Sequence, residues 1–514
     1  MLTNTEAQMR HIAVSEAEGP LVASPYRVIA KYYRPAEELI ENKEPRVARL
    51  VRRILALPEK EIVRLLEQVT VRFSRRHRDF EGILARHFEE VADHIPVGTT
   101  PTLHARRLIG AYLTHEYSIE AAALFNPSMV PAPDQSGLAD GQQRFIMSLR
   151  AVGEGHISSI EFRTGVVDRQ SRLAFDPASP YATTGLRRPS HYSKQAFAGK
   201  LRELAADNHI AASILDPLRE HFTYSQLHDS ITVFKDDGVS PAISHKTLQL
   251  IQWVADSNYE IDFDPATSIS ERVIFPIGPA ESRGMEDARF VRFTDDDGSV
   301  TYYATYTAFD GFKILPQLIE TDDFSSFRVS TLNGASAQNK GMALFPRRIS
   351  GRFVALSRYD QENIDIMSSD DVRRWDSRQK VRAPTRPWEL MQIGNCGSPI
   401  ETSAGWLVLT HGVGPVREYS IGAVLLDRDD PTRMIGELPE PLLVADEHER
   451  YGYVPNVVYS CGAMIHGGDL VLPYGYSDAG VRIAIVKLDD LLCALLDHPT
   501  PAARHDSERC ASGS

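Results

Sequence analysis

RVIFPIGPAESRGMEDARFVRFTDDDGSVTYYATYTAF, residues 272–309, holds three apolar runs rich in β-branched and aromatic residues, divided by Gly, Pro, Asp and Ser. Each run has the length of a strand, and the dividers are turn-formers, so the stretch predicts consecutive strands joined by short turns. Between the first and second runs lies SRGMEDARF (282–290), where the adjacent acids Glu286 and Asp287 are flanked by Gly284, Arg283 and Arg289. An acidic pair beside arginines reads equally as a structural ion pair or as a proton donor tuned by its neighbours.

Outward from this stretch the same texture persists. From 250 to about 490 come QLIQWVA, FKILPQLIE, MALFPRRI, RFVALSRY, IDIMSS, GWLVLTHG, IGAVLLD, NVVYSCGAMI, DLVLPYGY and RIAIVKL, at roughly ten-residue spacing. Many short strands without intervening helices indicate a sandwich, barrel or propeller. The pattern recurs about every 50–70 residues, a blade-sized period, without a strict sequence repeat. RFIMSLRAVGEGHISSIEFRTGVV (144–167) carries it too.

Two regions differ. Residues 36–95, and HARRLIGAYLTHEYSIEAAALF (104–125), place apolar residues three and four apart between charges, which predicts helices. SKQAFAGKLRELAADNHIAASILDPLREHF (193–222) does the same inside the β-rich region. The expected organisation is a helical region 1–117, a first β part 118–174, a largely helical insertion 175–249, the remaining β part 250–495 and a polar tail 496–514.

Composition narrows the function classes. A formal charge of −13 argues against nucleic acid or an anionic membrane as partner, though not against one small anion in a local basic pocket. Cys396, Cys461, Cys493 and Cys510 have neither CxxC pairing nor metal-ligand spacing, which fits a reduced, cytoplasmic chain without a metal. The first twenty residues lack an apolar h-region, and no run of about 18 apolar residues occurs, so no membrane association is expected. No phosphate loop, dinucleotide fingerprint, zincin helix or nucleophile elbow is present, and GEGHISS (153–159) lacks the lysine and helix of a phosphate loop.

What remains are polar residues at strand ends. Lys340 and Arg358 flank apolar runs, and a lysine point charge with an arginine fork suits a compact anion, although cations there are often merely solvated. His411 ends GWLVLTH, where a satisfied core histidine is the plainer reading. Tyr474 and Tyr476 precede Asp478, and rings beside an acid suit a sugar.

Taken in order, the blocks resemble family 130 of the glycoside hydrolases, the β-mannoside phosphorylases and related mannosidases. The resemblance rests on Asn126–Pro127 with MSLR ending at Arg150, G-x-E-D-x-R (284–289), ALFP (343–346) with Arg358, SxDxxxW (369–375), GWLxxxHG (405–412), IGAxLLD (421–427), PNVV (455–458) and YGxxD (474–478). It covers about 126–170 and 250–490. It implies a mainly β fold, a five-bladed β-propeller, with the helical region and insertion as additions. It further implies Asp287 as proton donor, acting through a sugar hydroxyl. Asn126, Arg150, Glu286, Tyr476 and Asp478 would bind the mannosyl unit. Lys340, Arg358, His411 and Tyr419 would bind phosphate. Two positions depart from the family pattern: lysine stands at 340 where arginine is usual, and Ala288 where the motif has proline.

The implied activity is inverting phosphorolysis of a β-manno-oligosaccharide, or its reversal, with inorganic phosphate as co-substrate and no cofactor. Hydrolysis is the alternative and needs a second carboxylate to activate water, for which Glu154 and Glu418 are candidates. A non-catalytic carbohydrate-binding module is a further one. The helical segments are candidates for homo-oligomer formation or for closing over the acceptor end.

Overall fold

The computed structural model describes residues 13–16, 19–35, 44–234 and 241–499, so the polar tail from 500 onward, Cys510 and residues 36–43 of the expected helical stretch lie outside the described residues. The chain is mainly β with helices, and its strands run as successive antiparallel meanders. The first meander comprises Ala123–Pro131, Gln143–Val152, Ser158–Val167 and Leu173–Phe175. The second comprises Gly284–Thr294, Val300–Phe309, Ile314–Thr321 and Ser326–Thr331, and so holds the acidic pair Glu286–Asp287 on its first strand. A single parallel bridge, Gly284 to Ser158, joins these two into one eleven-stranded sheet.

A third meander runs through Ala343–Leu344, Phe353–Ser357, Ile364–Ser369 and Arg378–Arg382. A fourth runs through Gln392–Asn395, Gly405–Val413, Tyr419–Leu426 and Met434–Glu437. In the last, Val458–Tyr459, Asp469–Tyr476 and Gly480–Lys487 are completed by Val14–Glu16 from the other end of the chain. Apolar clusters fill the spaces between successive sheets: Trp406 with Phe345 and Leu356, for example, and Leu407 with Leu472 and Tyr474.

A local device that the sequence reading missed recurs at the entry to these sheets. PAE (279–281), PWE (387–389) and DEHE (446–449) each turn the chain and bury a glutamate that accepts from the backbone amides opening its own turn. Glu281 also accepts from Tyr259 Oη at 2.9 Å and Glu449 from Tyr474 Oη at 2.8 Å. The spacing is irregular and only the glutamate is shared, which is why no repeat shows in the sequence.

Within 1–117 the described helices are Arg46–Leu55, Glu59–Phe73, Phe80–Glu89 and Leu103–Tyr112. Asp79 and Thr102 cap two of these by accepting from Gly82 N and Ala105 N. Their apolar stripes meet in a core of Val51, Ile54, Ile62, Phe88, Leu108 and Ile109. The ends of that region are strands instead: besides Val14–Glu16, Val28–Tyr32 pairs with Thr114–Ser118. Period-two runs as short as VIAKY and THEYS are easily read as extensions of a neighbouring helix.

Within 175–249, expected as a largely helical insertion, Lys194–Glu203, His209–Leu215 and Tyr224–Val233 are helices whose Phe197, Leu201, Ile214 and Leu227 share a core with Phe222 and Ile251, and the short strand Leu186–Pro189 pairs with Tyr259–Asp262. Two stretches are helical against expectation: QLIQWVA, expected as a strand, ends the helix Pro241–Asp256, and Leu488–Asp497 buries Leu491, Leu492 and Leu495.

Candidate active site

Two β-bulges shape the site. In an antiparallel ladder a bulge bends the strand and re-aims one side chain. The Asn126–Pro127 step and the Asp287–Ala288 step are both bulges, between Phe125/Ser128 and Glu286/Arg289. Asn126 has φ 49° and Asp287 φ 54°; Asp478, in the turn after Asp469–Tyr476, has φ 49°. Left-handed backbone at non-glycine residues is uncommon and concentrates where side chains must be held in place. These three residues, from segments far apart in the chain, line one cleft of about 300 Å³.

Within it, Asn126 Nδ2 donates to Asp287 Oδ1 at 2.5 Å. Arg150 Nη2 lies 3.0 Å from Glu286 Oε1, and its other terminal nitrogen 3.8 Å from Asp287 Oδ1. Lys340 pairs with the second Glu286 oxygen. Arg289 lies beneath, fully buried, donating to the Asp287 carbonyl at 2.9 Å, the Cys396 carbonyl at 2.8 Å and Tyr459 Oη at 2.8 Å. It therefore fixes the bulge backbone as much as the carboxylate, 3.8 Å away. Arg283, the other arginine of the motif, is exposed and takes no part.

On the other side Arg358 Nη1 is 3.0 Å from His411 Nε2. His411 is buried with its ring stacked on Tyr419 at 6.1 Å and tilted against Tyr459 at 4.8 Å. Arg417 joins this side from the Gly414–Glu418 turn. The sequence-expected residues Asn126, Arg150, Glu286, Asp287, Lys340, Arg358, His411, Tyr419 and Asp478 thus share one cavity.

Three expectations need correction. Tyr476 is not among the cleft-lining residues: it packs with buried Tyr474 against the core, because alternation puts both rings on one face of the strand. His411, expected to bind phosphate, brings no positive charge to it: burial, and then the nearby Arg358 and Arg289, drive its pKa well below the ordinary histidine value. Its neutral Nε2 accepts the Arg358 N–H and orients that guanidinium. Glu154 and Glu418, the candidate bases for hydrolysis, stay outside the cleft, Glu418 being 3.6 Å from Arg450 on the surface.

Sequence reading missed Arg417, Tyr459, Gln361 and Gln392. Tyr459 immediately follows the PNVV stretch, so one more residue of that motif would have included it. Nothing in the sequence marks the two glutamines.

Electrostatics distinguish the acids. Burial alone would raise the Asp287 carboxyl, but Arg289, Arg150, Lys340 and the Asn126 hydrogen bond outweigh it and hold it below the ordinary aspartate value. Asp478 goes the other way: burial pushes it up to about 6, with Asp287 and Glu286 adding to the rise against Arg150 and Arg417. Buried polar atoms without a partner gather here among the described residues: Asn126 Oδ1, Arg150 Nε, Arg358 Nε, Asn395 Oδ1 and His411 Nδ1. Such orphans mark a place where a polar ligand completes the hydrogen bonding.

Comparison with known proteins adds the following. A family model described as beta-1,4-mannooligosaccharide phosphorylase matches residues 258–496, which leaves Asn126 and Arg150 before its start. A 1,2-beta-oligomannan phosphorylase of Thermoanaerobacter sp. (strain X514) is 34% identical over 223 residues, 41% of this chain and 71% of that protein. A beta-1,2-mannobiose phosphorylase of Listeria innocua is 31% identical over 227 residues, 43% of this chain and 62% of that one. A beta-1,4-mannooligosaccharide phosphorylase of Ruminococcus albus is 32% identical over 222 residues, covering 40% and 64%. Among solved structures, the Listeria innocua beta-1,2-mannobiose phosphorylase in complex with beta-1,2-mannobiose aligns with a TM-score of 0.43 at 20% identity, over 73% of this chain and 92% of that one.

Proposed function

Since this chain belongs to glycoside hydrolase family 130, we propose that it catalyses the inverting phosphorolysis of β-mannosides, yielding α-mannose 1-phosphate and a shortened acceptor sugar, or the reverse synthesis. The observation that carries this reading is the pairing, across one cleft, of a carboxylate cluster with the cations Arg358, Lys340 and Arg417, while Glu154 and Glu418 lie outside. Hydrolysis needs a carboxylate to deprotonate water; a phosphate nucleophile is already anionic and needs cations to position it.

In this reading Asn126, Arg150, Glu286 and Asp478 hold the mannosyl unit and Asp287 supplies the proton. Arg358, backed by neutral His411 and by Tyr419, seats phosphate. Lys340 belongs to both halves, because its ammonium already pairs with Glu286. Phosphate oxygen attacks the anomeric carbon from the face opposite the aglycone, the bond to the aglycone oxygen breaks, and that oxygen takes the proton originating on Asp287. An Asp287 held below its ordinary pKa cannot donate at neutral pH. A phosphate anion beside Lys340, one of the three cations that lower it, offsets that charge and raises it. Proton loading of the acid is thereby tied to arrival of the nucleophile.

The wider architecture follows the same proposal. The five meanders, with Val14–Glu16 completing the last sheet, support a five-bladed propeller. The helical parts before it and within it, each with its own core, support separate added units. The three described cysteines are unpaired, in keeping with a reducing cytoplasmic setting.

The test is product analysis with β-1,2- and β-1,4-linked manno-oligosaccharides. Mannose 1-phosphate that appears only with phosphate supports phosphorolysis. Free mannose formed at the same rate without phosphate overturns it.

A further inference from the structure

Two hairpin turns flank the cleft with the same backbone. Gly153 has φ −102°, ψ −160° and is followed by left-handed Gly155 (φ 68°) and His156 (φ 58°). Gly414 has φ −102°, ψ −162° and is followed by left-handed Val416 (φ 57°) and Arg417 (φ 58°). The second turn delivers Arg417 into the cleft wall, four residues after Val413 and six after His411. The first stands in the same relation to Arg150, so His156 occupies the place that Arg417 occupies opposite.

His156 does not stand alone. Its ring stacks on Tyr453 with centroids 5.6 Å apart and planes inclined by 24°, and Tyr453 Oη lies 3.3 Å from His156 Nδ1. Tyr453 is 58% exposed and adjoins Val454, which lines the cleft. Both members of the pair are exposed, so most of its aromatic area stays open to a ligand.

The pair is also braced from an unexpected quarter. Tyr117, on the strand Thr114–Ser118 that follows the helical unit, donates its hydroxyl to the Glu154 carbonyl at 2.7 Å. A Cβ at Gly153 would meet Ser118 O at 2.4 Å and Tyr117 Oη at 2.7 Å, so only glycine lets the turn sit this close to that strand. Lys31, from the partner strand, lies over the Tyr117 ring at 4.7 Å and the Phe275 ring at 4.4 Å. The helical unit therefore ends in a rigid seat for the turn that carries His156.

We propose that Tyr453 and His156 form the platform for the acceptor sugar, the ring that leaves in phosphorolysis and attacks in synthesis, and that Tyr117 is a positioning residue holding the platform against the cleft. This rests on the mannoside reading above and extends it to the acceptor side. The ligand class is a neutral pyranose ring, whose C–H face covers an aromatic surface while its hydroxyls remain in water.

The experiment uses the full chain. In the synthetic direction, Tyr453→Ala raises KM for the acceptor about tenfold and leaves KM for α-mannose 1-phosphate within about twofold, a difference of one stacking contact. Tyr453→Phe restores most of the loss. Tyr117→Phe raises acceptor KM several-fold with kcat and the mannose 1-phosphate KM unchanged, a split that general destabilisation would not produce. Calorimetric binding of β-mannobiose against mannose is independent of turnover: Tyr453→Ala weakens the disaccharide about tenfold and spares the monosaccharide. If both ligands weaken alike, or neither changes, the platform is wrong. If the wild type makes no mannose 1-phosphate yet shows this binding split, the platform stands and the phosphorolysis reading falls.

Discussion

Asp287 occupies a backbone conformation most residues avoid, in a bulge fixed from below by the buried Arg289. Asp287→Asn keeps the shape and one acceptor oxygen for Asn126 while removing the acid, so kcat on the natural mannoside should fall about a thousandfold, with folding intact by circular dichroism. Near-wild-type turnover would exclude the role. Because its pKa is lowered in part by Lys340, whose charge phosphate would offset, phosphate binding should be accompanied by proton uptake. Calorimetry in buffers of differing ionisation enthalpy measures this, and proton release or none would contradict it. Asp478, raised to about 6, is protonated below that pH and cannot then accept two sugar hydroxyls. kcat/KM for mannoside should therefore rise through pH 6, and Asp478→Asn should flatten that limb while lowering its plateau. At this scale residue types and strand-end positions were legible, and nine expected side chains do converge. Charge states were not. That His411 is neutral, and that Asp287 and Asp478 shift in opposite directions, follows from burial and neighbours contributed by other sheets.

At the level of elements, the strand Gln392–Asn395 shows how tightly the anion side is built. A Cβ at Gly394 would come within 2.1 Å of Arg358 Cδ and 2.6 Å of His411 Cε1. Gly394→Ala should displace the Arg358–His411 pair and raise KM for phosphate roughly ten- to a hundredfold, the scale of a lost charge-assisted contact, with a much smaller effect on mannoside KM. Equal effects on both would separate Arg358 from phosphate. Alternation and turn residues made the strands readable, since a half-buried strand writes its period into the chain. Bulges are not so written: one extra residue in one strand becomes a bulge only by comparison with its partner, as Asp287–Ala288 does against Thr305–Thr307. That is also why Tyr476 was misplaced, for sequence gives the period of a strand and not which face meets a cavity.

Over the whole molecule, the N-terminal segment is tied to the β region through buried charge. Arg27 lies 2.8 Å from Glu120 and 2.9 Å from Glu161, and donates to the carbonyls of Ser179 and Ser270. Arg163 completes the group at 2.6 Å from Glu120. Removing one member of a buried network leaves uncompensated charge, so Arg27→Ala should cost about 3–5 kcal/mol in denaturant unfolding. A change below about 0.5 kcal/mol would show the network to be dispensable. Among the described residues no helix is long and apolar enough to cross a membrane. The sequence by itself determined the strand-rich texture, the helical additions and the polar residues at strand ends, because each is a matter of neighbours along the chain. Only the tertiary structure decided which of those residues meet, how each is charged, and that a strand after the helical unit braces the turn beside the cleft. Those outcomes depend on distances between segments up to hundreds of residues apart, and on the burial that their meeting creates.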